Sequence, residues 1–90
     1  MQAVKLKVHG IVQDVSFRRF TKTNADALHL TGFVKNLGDG TVEVFAEGSK
    51  DKIEQLIETL HSGSERSTVH KIDIEWTAYS GLFKDFRVIY

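Results

Sequence analysis

The sequence predicts an α+β fold, an antiparallel sheet carrying two helices on one face. Two observations point to it. Runs in which apolar and polar residues alternate fall near both ends and in the middle of the chain, and between them lie two stretches whose apolar residues recur at helical spacing. Their order is strand, helix, strand, strand, helix, strand, with room for a short extra strand at the end.

Each element follows from its residues. Val4, Leu6 and Val8 alternate with Lys5, Lys7 and His9, so Ala3 to His9 is a half-buried strand. Phe17, Phe20, Thr21, Ala25 and Leu28 repeat at helical spacing, with Arg19, Lys22, Asp26 and His29 outside, so a helix is expected from about Phe17 to His29. Gly32 is expected to break the chain after Leu30-Thr31. Phe33 to Leu37 reads as a strand, Gly38-Asp39-Gly40 as a hairpin turn, and Val42, Val44 and Ala46 alternating with Glu43, Phe45 and Glu47 as the third strand. Gly48-Ser49 opens a second helix, whose Ile53, Leu56, Ile57 and Leu60 make one apolar face. His61 to Ser67 is a polar loop, and a strand beginning at Val69 or Ile72 runs through Ile74 and Trp76. Tyr79 to Leu82 turns, and Phe86, Val88 and Tyr90 form the last strand. This order is the split βαβ pattern of the ferredoxin-like sandwich, with the first and third strands central. No repeat, low-complexity run or linker interrupts it, so residues 1–90 are expected to form a single domain.

Composition removes several function classes. Twelve basic and twelve acidic residues cancel, whereas a nucleic-acid binder usually carries a basic surplus. There is no cysteine, hence no disulfide framework, zinc knuckle or thiol nucleophile. His9, His29, His61 and His70 are scattered without metal-ligand spacing, so no metal and no cofactor is expected. No segment reads as a signal peptide or membrane span, and the expected location is the cytoplasm.

The candidate site lies in Gly10-Ile11-Val12-Gln13-Asp14-Val15-Ser16-Phe17-Arg18, between the first strand and the first helix. A tight strand-to-helix turn presents free backbone N–H groups at the positive end of the helix dipole, which suits an anion. Arg18 adds a guanidinium whose paired donors match a phosphate. Arg18 and Arg19 together oppose the dipole, and a helix built only for stability would prefer acids there. A second block, Gly32-Phe33-Val34-Lys35-Asn36 followed by Gly40, Val42 and Gly48, contains an amide that can both donate and accept. Spacing alone does not bring Asn36 to the first loop.

Gly10-x-Val12-Gln13-x-Val15-x-Phe17-Arg18 resembles the first signature of the acylphosphatase family, and Gly32-Phe33-Val34-Lys35-Asn36-x-x-x-Gly40-x-Val42 with Gly48 is similar to its second. The resemblance extends over the whole chain, including the ending Phe86-Arg87-Val88-Ile89-Tyr90. It implies a metal-independent enzyme, monomeric, that hydrolyses small acyl phosphates to a carboxylate and inorganic phosphate. It implies that Arg18 holds the phosphate, that Asn36 orients the attacking water, and that the backbone N–H groups of Gln13, Asp14, Val15, Ser16 and Phe17 form the phosphate cradle.

One residue departs from the pattern. The family has glycine where this chain has Asp14. Its carboxylate either repels the substrate, points to solvent, or caps the helix and occupies N–H groups the phosphate needs. Two rivals follow. Asp14 keeps open a non-catalytic module for phosphate or carbamoyl phosphate, like the domains fused inside hydrogenase-maturation proteins, although a free enzyme without such an appendage is the expectation here. An RNA-binding module would want exposed aromatics and a basic sheet face, but the third strand carries Glu43 and Glu47.

Overall fold

The computed structural model describes the backbone of residues 1–90 and every side chain except that of Val15. The elements are β1 (Gln2–Ile11), α1 (Val15–Ala27), β2 (Thr31–Asn36), β3 (Val42–Gly48), α2 (Lys50–Ser62), β4 (Thr68–Thr77) and β5 (Phe86–Ile89). They build one five-stranded sheet in the order β4-β1-β3-β2-β5. Both helices pack on the same face. Phe17 and Ala25 of α1 and Ile53, Leu56 and Leu60 of α2 meet Val4, Leu6, Val8, Val34, Val42, Val44 and Ala46 in one core. Burying a large apolar side chain of this kind contributes about 1.5–3 kcal/mol.

Three expectations change. The sheet is mixed rather than antiparallel, because β5 runs parallel to β2 with Val34 opposite Val88 and Lys35 opposite Ile89. The reason lies in the segment between β4 and β5, which crosses the face opposite the helices. There the Glu47 carboxylate accepts hydrogen bonds from the Ser80 N–H at 2.7 Å, the Ser80 hydroxyl at 2.8 Å and the Gly81 N–H at 3.1 Å. Phe83 packs on Phe33 and Phe45, at 6.0 and 5.4 Å between ring centres. The crossing carries the chain from one edge of the sheet to the other and delivers β5 alongside β2. Phe33 therefore belongs to a small aromatic cluster on this face and not to the main core.

Gly32 does not stop α1. His29, at φ 58°, takes the left-handed position after the helix. Gly32 lies within β2, where a Cβ would collide with the Phe45 carbonyl of the neighbouring strand. Finally, α1 begins two residues earlier than its apolar spacing suggests, because its cap is Asp14.

Candidate active site

The loop between β1 and α1 is shaped by the end of β1. The pairing of β1 with β4 slips between His9 and Gly10, so that His9 faces Lys71 while Gly10 faces Val69. Gly10 sits at φ 138°, and a Cβ there would strike the Thr68 carbonyl, so glycine is required at the slip. Val12, 1% exposed, anchors the loop in the core. Gln13 then ties it to the β2–β3 hairpin, its Nε2 donating to the Leu37 carbonyl at 2.6 Å and the Thr41 carbonyl at 2.7 Å. Leu37 directly follows Asn36, so this bond brings the two sequence motifs to one end of the sheet.

Asp14 is the N-cap of α1. Its Oδ1 accepts the Phe17 N–H at 2.8 Å and the Ser16 hydroxyl at 2.7 Å. The Ser16 hydroxyl, the Phe17 N–H and the charge of Arg66 hold its carboxyl below the usual carboxylate range. The first turn of α1 contains no acid, and the negative charge that its dipole favours stands at the cap instead. Among the described residues, the N–H groups of Gln13, Asp14 and Ser16 donate to no backbone carbonyl. Of the expected cradle, the Phe17 N–H is therefore taken internally and the Ser16 N–H also faces the Asp14 carboxylate, while those of Gln13 and Asp14 have no partner among the described backbone carbonyls.

Arg18 reaches the end of β5, beside the end of β2 that carries Asn36. The Arg18 Nη1 donates to the Ile89 carbonyl at 3.1 Å, and the guanidinium lies 4.7 Å from the centre of the Tyr90 ring. Ile89 is the β5 partner of Lys35, the residue before Asn36. Adjacent strands are about 4.8 Å apart, so the anchor of Arg18 lies beside the strand end that carries Asn36. Among the described residues, two buried side-chain atoms have no hydrogen-bond partner, Arg18 Nε and Asn36 Oδ1. Buried polar atoms are usually satisfied, so an orphaned donor and an orphaned acceptor have unused hydrogen-bonding capacity that a ligand's polar atoms could take up. With Nη1 engaged, the Nε edge of Arg18 remains for a bidentate anion.

Other residues take plainer places. Lys35 pairs with Glu43 at 3.5 Å, and His9 bonds Asp73 at 2.8 Å. Arg66 is exposed, yet its charge reaches Asp14 across the pairing of Ile11 with Thr68. Arg19 is exposed and makes no ion pair among the described residues. Sequence reasoning missed Gln13 as a side-chain tie and the Ile89–Tyr90 support for Arg18. Neither contact has a local sequence signal, since one spans 24 residues and the other 71.

The chain is similar to known proteins over its whole length. The family model described as Acylphosphatase matches residues 4–88. An acylphosphatase of Salinibacter ruber is 41% identical over 85 residues, covering 94% of this chain and 90% of that protein. The crystal structure of the Bacillus subtilis acylphosphatase superimposes with a TM-score of 0.95 at 34% identity, covering all of both chains. The crystal structure of T. kodakarensis HypF matches with a TM-score of 0.85 at 34% identity, all of this chain corresponding to 12% of that one. With the family model spanning nearly every element from β1 to β5 and full-length relatives alike in sequence and fold, the chain belongs to the acylphosphatase family.

Proposed function

We propose that Arg18, Asn36 and the Gln13–Ser16 backbone together carry the acyl phosphate hydrolysis of this acylphosphatase. The observation that supports this reading best is the pair of orphaned atoms, Arg18 Nε and Asn36 Oδ1, beside the β1–α1 loop. The phosphoryl oxygens lie against the Nε edge of Arg18 and the open N–H groups at the head of α1. The Asn36 Oδ1 accepts a hydrogen bond from a water and so aims the water's oxygen at phosphorus. That oxygen forms the new P–O bond as the bond from phosphorus to the acyl oxygen breaks, and both electrons leave with the carboxylate. The conjugate acid of that leaving group has a pKa of about 4, so it departs without protonation and no general acid is required. The proton of the water ends on the phosphate, giving a carboxylate and dihydrogen phosphate. Positioning and charge stabilisation suffice for such a step, which supports turnover without a metal.

The loop, Arg18 and Asn36 all come from one chain, which fits a monomer, and a chain without cysteine fits the cytoplasm. The Asp14 cap favours one second reading, binding of phosphate or carbamoyl phosphate without turnover, because it consumes the Phe17 N–H. Hydrolysis of benzoyl phosphate in the presence of chelator decides between them. Turnover is expected, with kcat/KM falling about 10²–10³-fold in Arg18→Ala. Saturable phosphate binding with no turnover would establish the second reading, and full turnover in Asn36→Ala would remove the role given to that residue.

A further inference from the structure

A groove of about 580 Å³ runs between α1 and β5, and its lining includes Arg19, Lys22, Asp26, Asp85, Arg87 and Tyr90. It is large enough for a small organic group. Tyr90 joins it to the site, since the same ring that lines the groove lies under the Arg18 guanidinium. The groove also lies where a leaving group would go. In-line displacement sets the departing oxygen opposite the attacking one. With Arg18 anchored at Ile89 on β5 and Asn36 on β2 as assigned above, an acyl group leaving opposite a water at Asn36 departs on the β5 side, where the groove opens. β5 is the strand beyond β2 and the edge of the sheet.

The charges in the groove do not cancel. Lys22 pairs with Asp26 at 2.9 Å and also donates to the Phe86 carbonyl. Arg87 pairs with Asp85 at 2.9 Å. Arg19, one residue from Arg18 at the upper end of the groove, is left without an acid. Arg19 is the fifth residue of α1, exposed, and is not used by the phosphate site assigned above.

Resting on the assignment of Arg18 and Asn36 above, we propose that the α1–β5 groove receives the acyl group of the substrate and that Arg19 selects acyl phosphates whose acyl group carries a second anion, a carboxylate or phosphate at its far end. Arg19 is a specificity residue here; it does not touch the reacting phosphoryl group. Phosphoryl oxygens and the distal anion are then read by adjacent residues that diverge on the helix surface, one toward the cradle and one toward the groove.

The test compares two substrates of matched size, 4-carboxybenzoyl phosphate and 4-methylbenzoyl phosphate, with kcat/KM measured for the intact chain and for Arg19→Gln and Arg19→Glu. The intact chain is expected to favour the carboxylated substrate about fivefold, the size of one well-placed exposed charge pair. Arg19→Gln is expected to abolish that ratio, Arg19→Glu to invert it, and added salt to erode it in the intact chain alone. Turnover of both substrates with a ratio that Arg19 does not alter would overturn the proposal and leave the catalytic reading standing. Absence of turnover on either substrate would overturn both.

Discussion

Glu47 and Asp14 are both carboxylates that accept backbone N–H groups, one beneath the segment that crosses the open face of the sheet and the other at the head of α1. Glu47 is 1% exposed, and both of its oxygens are engaged by Ser80 and Gly81. Every donor of that small cradle is consumed by the protein's own anion, and the product is structural, a crossing held in place so that β5 can reach β2. Asp14 accepts the Phe17 N–H and the Ser16 hydroxyl, and the Ser16 N–H also acts on its carboxylate. Around it the N–H groups of Gln13, Asp14 and Ser16 lack carbonyl partners, and Arg18 Nε and Asn36 Oδ1 are buried without any. One cradle is complete and the other is not. Unsatisfied polar groups cost stability, and under the reading proposed above an incoming phosphate would satisfy them.

If that contrast holds, the two acids respond oppositely to removal. Glu47→Ala deletes charged acceptors for three donors under the crossing, and a loss of about 3 kcal/mol is expected. For a domain of this size that lowers Tm by roughly 12–24 °C. Activity per folded molecule at low temperature should persist, because Glu47 lies far from the β1–α1 loop in the register of the sheet, opposite Ala3 and Thr31. Thermal unfolding followed by circular dichroism, with benzoyl phosphate turnover measured well below the transition, checks both halves. A Tm unchanged within two or three degrees would mean that the crossing holds without its anion.

Asp14→Gly is expected to act on substrate instead. It restores the residue the family carries at this position, frees the Phe17 N–H and removes a negative charge from the phosphate's surroundings. KM should fall about fivefold, equivalent to roughly 1 kcal/mol of repulsion between separated, solvated charges. Stability should change by only a few tenths of a kcal/mol, since glycine is a tolerable N-cap. An unchanged KM would show that Asp14 and the phosphate do not compete.

Much of this contrast was readable from the sequence, and the unreadable part has a common cause. Both helices, the four principal strands and the hairpin at Gly38-Asp39-Gly40 follow from local periodicity and turn chemistry, because local sequence dictates them. Arg18 and the open loop were likewise visible as a glycine-opened run before a helix. What local patterns could not supply was pairing over distance. The parallel placement of β5 depends on Glu47 meeting residues 33 and 34 positions away. The juxtaposition of Asn36 with the loop depends on Gln13 reaching Leu37 and on Arg18 reaching Ile89. Gly32 was misread for a related reason. A glycine after a helix resembles a cap, but the close approach of Phe45 from β3 is what requires it. For Asp14, sequence reasoning named capping as one of three outcomes, and the hydrogen bonds to Phe17 and Ser16 select it.

The smallest expected effect separates the two functions of Asp14, cap and charge. Asp14→Ala removes the cap without offering glycine's freedom, and at neutral pH it should cost about 1 kcal/mol. The native carboxyl titrates below its ordinary value of 3.8 because Ser16 and Phe17 donate to its charged form. A depressed native pKa contributes stability that is fully present above the unfolded value and is lost as pH falls through the native one. The deficit of Asp14→Ala relative to the intact chain should therefore be constant from pH 7 to about pH 5. It should shrink as pH drops below the ordinary carboxylate range and vanish once the native carboxyl is protonated. Urea midpoints of both chains at pH 7, 4 and 3 measure this directly. A deficit that stays the same at pH 3 would mean that the side chain stabilises α1 by packing alone, and the charged cap would then no longer explain why this chain tolerates Arg18 at the end of the first turn.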